Sequence, residues 1–372
     1  MYDLDLERFW VDDELAHKEN CFYKDAPQVA LGIRMSDECV FSELGVPGDP
    51  WGVTDPELRV KYNRMYNDKA EKVVGRRLLS ERLYNPDASF PYIKRIGEIF
   101  GGIYQRRENT SEWLYSDLKT YDELEKRLDW IDRVDLAEYV LSVNWDYEKK
   151  RIYEKYGILP HCFTAIRGPV TLACSIIGEE KLIFMYYDAP ELFRRFSDTI
   201  GDVIIRMIDL MNHERGERAP KTKSFSFSDD NCALLTPEMY EAFGFPVLKR
   251  VFDYVAPGES GNRYQHSDSA MEHLLPVLAR LNLTGCNFGP TVTVDKIRKY
   301  MPDTRIDGCL APFTFMRNNQ EDIIAEVKRD CEMIKASGTK GLNLTTAGSI
   351  NDGSSLESMR LVMQIIQNVG RY

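Results

Sequence analysis

Ser224-Phe225-Ser226-Phe227-Ser228-Asp229-Asp230, Asn262-Arg263-Tyr264-Gln265-His266-Ser267-Asp268, Leu283-Thr284-Gly285-Cys286-Asn287, Thr304-Arg305-Ile306-Asp307-Gly308-Cys309 and Gly341-Leu342-Asn343-Leu344-Thr345-Thr346 follow one another along the C-terminal part of the chain. Each is a short strand-like segment with a polar end, and a helical pattern follows. No hairpin turn signal joins neighbours, so the strands are expected to run parallel with helices as crossovers. Closed on itself, such a series is a barrel whose strand ends meet at one mouth, where barrel enzymes keep their chemistry. The expected fold is α/β, a (β/α)8 TIM barrel with an elaborated helical N-terminal region.

Working outward, Val29-Ala30-Leu31-Gly32-Ile33-Arg34-Met35 reads as a further strand, and a charged helix is expected from about Pro56 to Leu79. Phe90 to Ile93 reads as a second strand, Tyr121 to Tyr156 as a charged helical region, Phe163 to Ile166 as a buried strand, and Pro190 to His213 as helix. Residues 1–28 mix acidic and aromatic side chains without a period, which suggests an arm or cap, and 29–372 a single barrel domain. A chain of 372 residues exceeds the usual single-core size, but barrels of this length remain one domain once insertions are added. Helix signals include Thr236-Pro237, capping boxes at Ser269-x-x-Glu272 and Ser354-x-x-Glu357, and Gly370 as a stop.

Composition narrows the class. The hydrophobic share of 43% suffices for a large core, and the net charge of −11, with no basic stripe, argues against nucleic acid as a partner. No apolar run approaches the ~20 residues that span a bilayer, and a cytoplasmic protein is expected. The eight cysteines include no CxxC pair, so they are expected to be reduced and mostly packed in the core.

Gly168-Pro169-x-Thr171-Leu172-Ala173, Asp188-Ala189-Pro190-Glu191, Leu235-x-Pro237-Glu238-x-Tyr240, Pro246-x-Leu248-Lys249 and His266-Ser267-Asp268 occur in order from about residue 90 onward. The set resembles the uroporphyrinogen decarboxylase superfamily. That resemblance implies a (β/α)8 barrel with a deep cleft at the C-terminal strand ends. Pro246 reads as a mid-helix proline, which ordinarily costs ~3 kcal/mol, so its presence at the family's position supports the resemblance.

The superfamily holds two chemistries. Decarboxylases resemble one another in an arginine-rich N-terminal strand that contacts a polyanionic porphyrinogen. Here the comparable stretch is Ile33-Arg34-Met35-Ser36-Asp37-Glu38, where one arginine is followed by two acids that repel such a substrate. Thiol-directed methyltransferases of the other branch resemble one another in a His-x-Cys zinc site with a distant Cys. This chain has His266-Ser267-Asp268 and Thr345-Thr346 instead. The remaining resemblance is to methyltransferases of O-demethylase systems, which pass methyl groups from aromatic methyl ethers to a corrinoid (cobalamin) on a partner protein. Some carry zinc on a Glu-x14-Glu-x20-His frame, which falls here on Asp230, Phe245 and His266. A decarboxylase, or a methyltransferase using methanol, methylamine or a thiol, is the alternative.

Phenolate is a poor leaving group because its conjugate acid has a pKa near 10. A general acid or a Lewis-acidic metal on the ether oxygen helps it depart. His266 and Asp230 end neighbouring candidate strands and are expected to be the acid or metal-ligand pair, with Asp229 and Asp268 orienting them. Arg34, Asn287 and Asp307, together with the aromatic Tyr186 and Phe313, are the expected substrate contacts. Partners would be a corrinoid protein, an aromatic ether and, for oligomerisation, a second copy of the chain.

Overall fold

The computed structural model describes residues 3–53, 55–107, 112–216, 219, 221–258 and 261–372. Its strands, in chain order, are β1 (Ala30–Leu31), β2 (Gly102–Arg106), β3 (Glu112–Ser116), β4 (Ala165–Arg167), β5 (Ser224–Ser228), β6 (Asn262–Ser267), β7 (Gly285–Phe288), β8 (Arg305–Leu310) and β9 (Leu342–Thr346). Seven form one sheet in the order β1-β9-β8-β7-β6-β5-β4, and β2 pairs only with β3, antiparallel. The pairings β1/β9, β4/β5, β7/β8 and β8/β9 are all parallel. Each strand from β4 to β9 lies beside its successor and the last pairs with the first, which is the strand order of a (β/α) barrel.

The chain divides into two compact units, Met1–Tyr84 with His266–Tyr372, and Asn85–Gln265. In the first, residues 3–28 form a helix, Leu6–Ala16, and a short turn that pack on the strand starts. Asp13 accepts a hydrogen bond from Leu31 N, and Asn20 donates to Thr284 O, both at 2.8 Å. Beneath them Arg298, only 6% exposed, donates to the carbonyls of Met301, Thr304 and Lys340. The final helix, Leu356–Val369, buries Leu356, Met359, Val362, Met363 and Ile366, the three-to-four spacing of an amphipathic helix. Its cap is Ser355, accepting from Ser358 N, one residue beyond the Ser354 of the capping box read from the sequence.

In the second unit, β5 shows why its sequence alternates. Phe225 and Phe227 are fully buried, with Phe227 edge-on to Phe252 of helix Gly244–Val255. The serines between them face the other way, and Ser228 is exposed. A period of two thus makes one apolar and one polar face. Burying each phenylalanine contributes roughly 1.5–3 kcal/mol, so the polar face can stay accessible.

Two local expectations are corrected and one is refined. Phe90 to Ile93 is not a strand; the extended structure comes later, in the hairpin β2/β3, which the aromatic and glycine content of its first strand concealed. The charged region 121–156 is three helices, Tyr121–Ile131, Leu136–Val140 and Trp145–Tyr156, because Asp135 caps the second and backbone turns separate them. Pro246 is not mid-helix. The chain breaks at Phe243, a new helix starts at Gly244, and the proline falls in its first turn, where a missing N–H costs little.

Candidate functional site

His266 lies on β6, half-buried, on the same face as Tyr264, while Arg263, Gln265 and Ser267 between them are buried. Its Nδ1 meets Asn287 Oδ1 at 2.7 Å. Asn287, on β7, is itself held. Its amide nitrogen donates to Asp307 O and, at 3.1 Å, to Thr346 O, and its oxygen also accepts from Gly348 N at 2.9 Å. With the amide nitrogen committed to two carbonyls, the side chain cannot flip, so the atom facing the imidazole is an acceptor. His266 Nδ1 therefore carries the proton in either charge state, and in the neutral ring Nε2 is the nitrogen with a lone pair.

Gly348 is required where it stands. Its φ is +90°, and a Cβ there would lie 3.1 Å from Asp268 Oδ2. The turn after β9 thus brings its backbone against both Asn287 and Asp268. His266 and Asp268 each offer a metal-ligand atom, and these lie within 4.8 Å of each other. An imidazole whose other nitrogen is fixed by a hydrogen bond, beside a carboxylate, is a donor pair suited to zinc. Two donors leave such a set incomplete.

At the end of β5, Asp229 and Asp230 diverge. Asp229 is fully buried, and its Oδ1 accepts from Thr171 N at 2.8 Å. Thr171 lies in the first turn of helix Pro169–Ile177, whose own N-cap is Gly168 and has no side chain to offer. Asp229 supplies that cap from the neighbouring strand. A Cβ on Gly168 would sit 2.2 Å from Asp229 Cβ, so the cap requires glycine there. Burial pushes the Asp229 carboxyl up to about 7, against the hydrogen bonds from Thr171 and the backbone. Among the described residues, its buried Oδ2 has no hydrogen-bond partner. Asn231 N in turn donates to Thr171 Oγ1 at 3.0 Å, clamping the end of β5 to the same helix.

Asp230 is half-buried and lines a cavity of about 840 Å³ with Arg167, Thr171, Ser228 and Asn231. The hairpin strand β3 adds Trp113 and Tyr115 to the wall. Of these, Arg167, Trp113 and Tyr115 escaped notice in the sequence, and Thr171 was read only as part of the Gly-Pro motif. A charged residue at a strand end directly before Gly-Pro was the available signal for Arg167; the hairpin aromatics had none.

Arg34, Asp307, Tyr186 and Phe313 are not among the residues that line this cavity. Arg34 is exposed beyond β1. Asp307 is the third residue of β8, not its tip; both its oxygens accept from Arg305 at 2.8 Å, and Oδ1 also from Asn343. Tyr186 packs edge-on against Tyr187 and Phe193. Phe313 is 62% exposed on helix Pro312–Met316, just after β8. Cys286 and Cys309 are fully buried, and burial pushes both thiols up, as expected of packed cysteines.

A family model described as uroporphyrinogen decarboxylase (URO-D) matches residues 157–369. The chain belongs to the URO-D family. That span carries β4 to β9, and so His266, Asn287, both aspartates of β5 and the Gly168 cap. Among solved structures, the chain is similar to a methyltransferase from Methanosarcina mazei, at 16% identity and a TM-score of 0.58, over 97% of this chain and 98% of that one. This likeness establishes a shared fold along essentially the whole length. A search of curated proteins found no significant match. No helix of the described residues is long and apolar enough to cross a membrane.

Proposed function

We propose that this URO-D family member is a methyltransferase that takes a methyl group from an aromatic methyl ether and delivers it to the corrinoid of a partner protein. The observation that carries the reading is the fixed imidazole of His266: its Nδ1 proton is committed to Asn287, so Nε2 is the ring atom that would meet an oxygen or a metal. Support comes also from Asp230 in a roomy cavity with aromatic walls, and from Asp37 and Glu38 where a decarboxylase would keep cations. Those two acids open helix Asp37–Leu44, and Asp37 pairs with Arg59 at 3.2 Å.

The reduced corrinoid supplies the nucleophile for the methyl carbon. The chain's task is the other end of the bond. As the methyl–oxygen bond breaks, the electron pair stays on the phenolic oxygen, and that oxygen needs a proton or a positive charge. Imidazolium at His266 gives its Nε2 proton, with Nδ1 still hydrogen-bonded to Asn287. Asp230, two residues beyond the end of the neighbouring strand in the sheet order, is the proposed companion acid. If zinc is resident, His266 and Asp268 would hold it, with Asp230 as the proposed third ligand, and it would supply Lewis acidity at the same oxygen. Trp113 and Tyr115 offer flat surfaces against which an aromatic ring can lie.

The test is to mix the purified protein with its Co(I)-loaded corrinoid partner and a panel of methyl donors, following loss of Co(I) absorbance. Methoxyarenes should react and His266→Ala should not. Reaction only with methanol or methylamine would replace the donor class. Carbon dioxide release from uroporphyrinogen without any corrinoid protein would overturn the reading in favour of a decarboxylase.

A further inference from the structure

Arg167 is the last residue of β4, half-buried in the wall of the 840 Å³ cavity. Among the described residues its guanidinium has no carboxylate, carbonyl or hydroxyl partner, and no aromatic ring beneath it. A half-buried cation that faces a cavity with no anion beside it is placed to take one from a ligand. Nearby charges do not relieve it. Glu112, also in the wall, is taken by Arg95 at 2.7 Å. Glu179 is exposed in the first turn of helix Glu179–Asp188. Lys119 and Lys181 add further positive charge at the rim.

We infer that Arg167 receives a carboxylate of the substrate, so that the cavity binds an aromatic acid with its ring along Trp113 and Tyr115. The planar guanidinium fork matches a carboxylate with two parallel hydrogen bonds, a geometry that neither rim lysine provides. Joined to the methyl-transfer reading, on which this extension rests, it narrows the donor from methoxyarenes at large to methoxybenzoate-type acids. A single arginine also suits one carboxylate better than a polyanion.

The anion site is testable without methyl transfer, by calorimetric titration of the full chain with benzoate and with benzamide. Wild type should bind benzoate the more tightly. Arg167→Gln should weaken benzoate about 10- to 100-fold, the range of a charge-assisted pair, and leave benzamide unchanged. Unchanged benzamide binding doubles as the check on folding, and Arg167→Lys should retain part of the benzoate preference. No benzoate binding by wild type at millimolar concentration, equal affinity for the two probes, or undiminished benzoate binding by Arg167→Gln would each overturn the inference. Arg167-dependent benzoate binding with no methoxyarene turnover would keep the anion site and remove the methyl-transfer reading. Turnover of neutral and acidic methoxyarenes alike would do the reverse.

Discussion

Asn287 Oδ1 accepts from both His266 Nδ1, at 2.7 Å, and Gly348 N, at 2.9 Å, so one amide oxygen couples the imidazole on β6 to the turn after β9. Asn287→Ala removes the acceptor and frees the ring to rotate and change tautomer. Activity, or zinc affinity if zinc is present, should fall about 10- to 100-fold, as when the hydrogen-bond partner of a functional histidine is lost. Rates for wild type and variant measured with the same corrinoid partner check this. An unchanged rate would mean that the ring is held by something else.

His266→Ala removes the proposed proton donor itself. The methyl-transfer rate should drop by about 10²- to 10⁴-fold, the usual worth of a positioned acid, with circular dichroism and thermal unfolding unaltered. Asp230→Asn should cost less, since it removes a charge but keeps shape.

Metal content can be read directly. If zinc is resident, elemental analysis should find it in the wild-type protein and find it lost from both His266→Ala and Asp268→Ala, whose ligand atoms lie within 4.8 Å of each other. Asp230→Ala tests the proposed third ligand. Equal metal content in all three variants and wild type would place the metal elsewhere.

Asp229 should make stability depend on pH. Its folded carboxyl is raised to about 7 from 3.8, so the native state holds the proton more tightly than the unfolded state. Wild type therefore loses stability as pH rises from about 4 to about 7 and nothing more beyond, by at most on the order of 4 kcal/mol. Asp229→Asn keeps an acceptor for Thr171 N and has nothing to ionise. Urea unfolding across that range should show the variant gaining on wild type as pH rises; parallel curves would show that the buried carboxyl is not raised.

Arg298 is the structural counterpart at the strand starts. Arg298→Ala strands the carbonyls of Met301, Thr304 and Lys340, and should destabilise by on the order of 3 kcal/mol in chemical denaturation.

Much of the frame was legible because it depends on local pattern. The segments read at Ser224, Asn262 and Gly341 coincide with β5, β6 and β9 to within two residues, since alternation and turn chemistry act over only a few positions. Capping signals were less exact, because Ser354 and Ser355 both fit and only the helix geometry chooses. The hairpin β2/β3 was missed because Gly101 and Gly102 at its start read as a loop.

What the sequence alone determined is the succession of parallel βα units, the family they belong to, and the polar strand ends at Asp229, Asp230 and His266. The tertiary structure decided what each end does. Asp229 and Asp230 are consecutive, yet one caps a helix in the core and the other faces a cavity, because the strand ends at Ser228 and the 3-10 turn that starts at Asp230 redirects the next side chain. The proton on His266 Nδ1 depends on an asparagine 21 residues away, held by carbonyls of two further strands. No period or spacing encodes those contacts; they exist only once the strands are side by side.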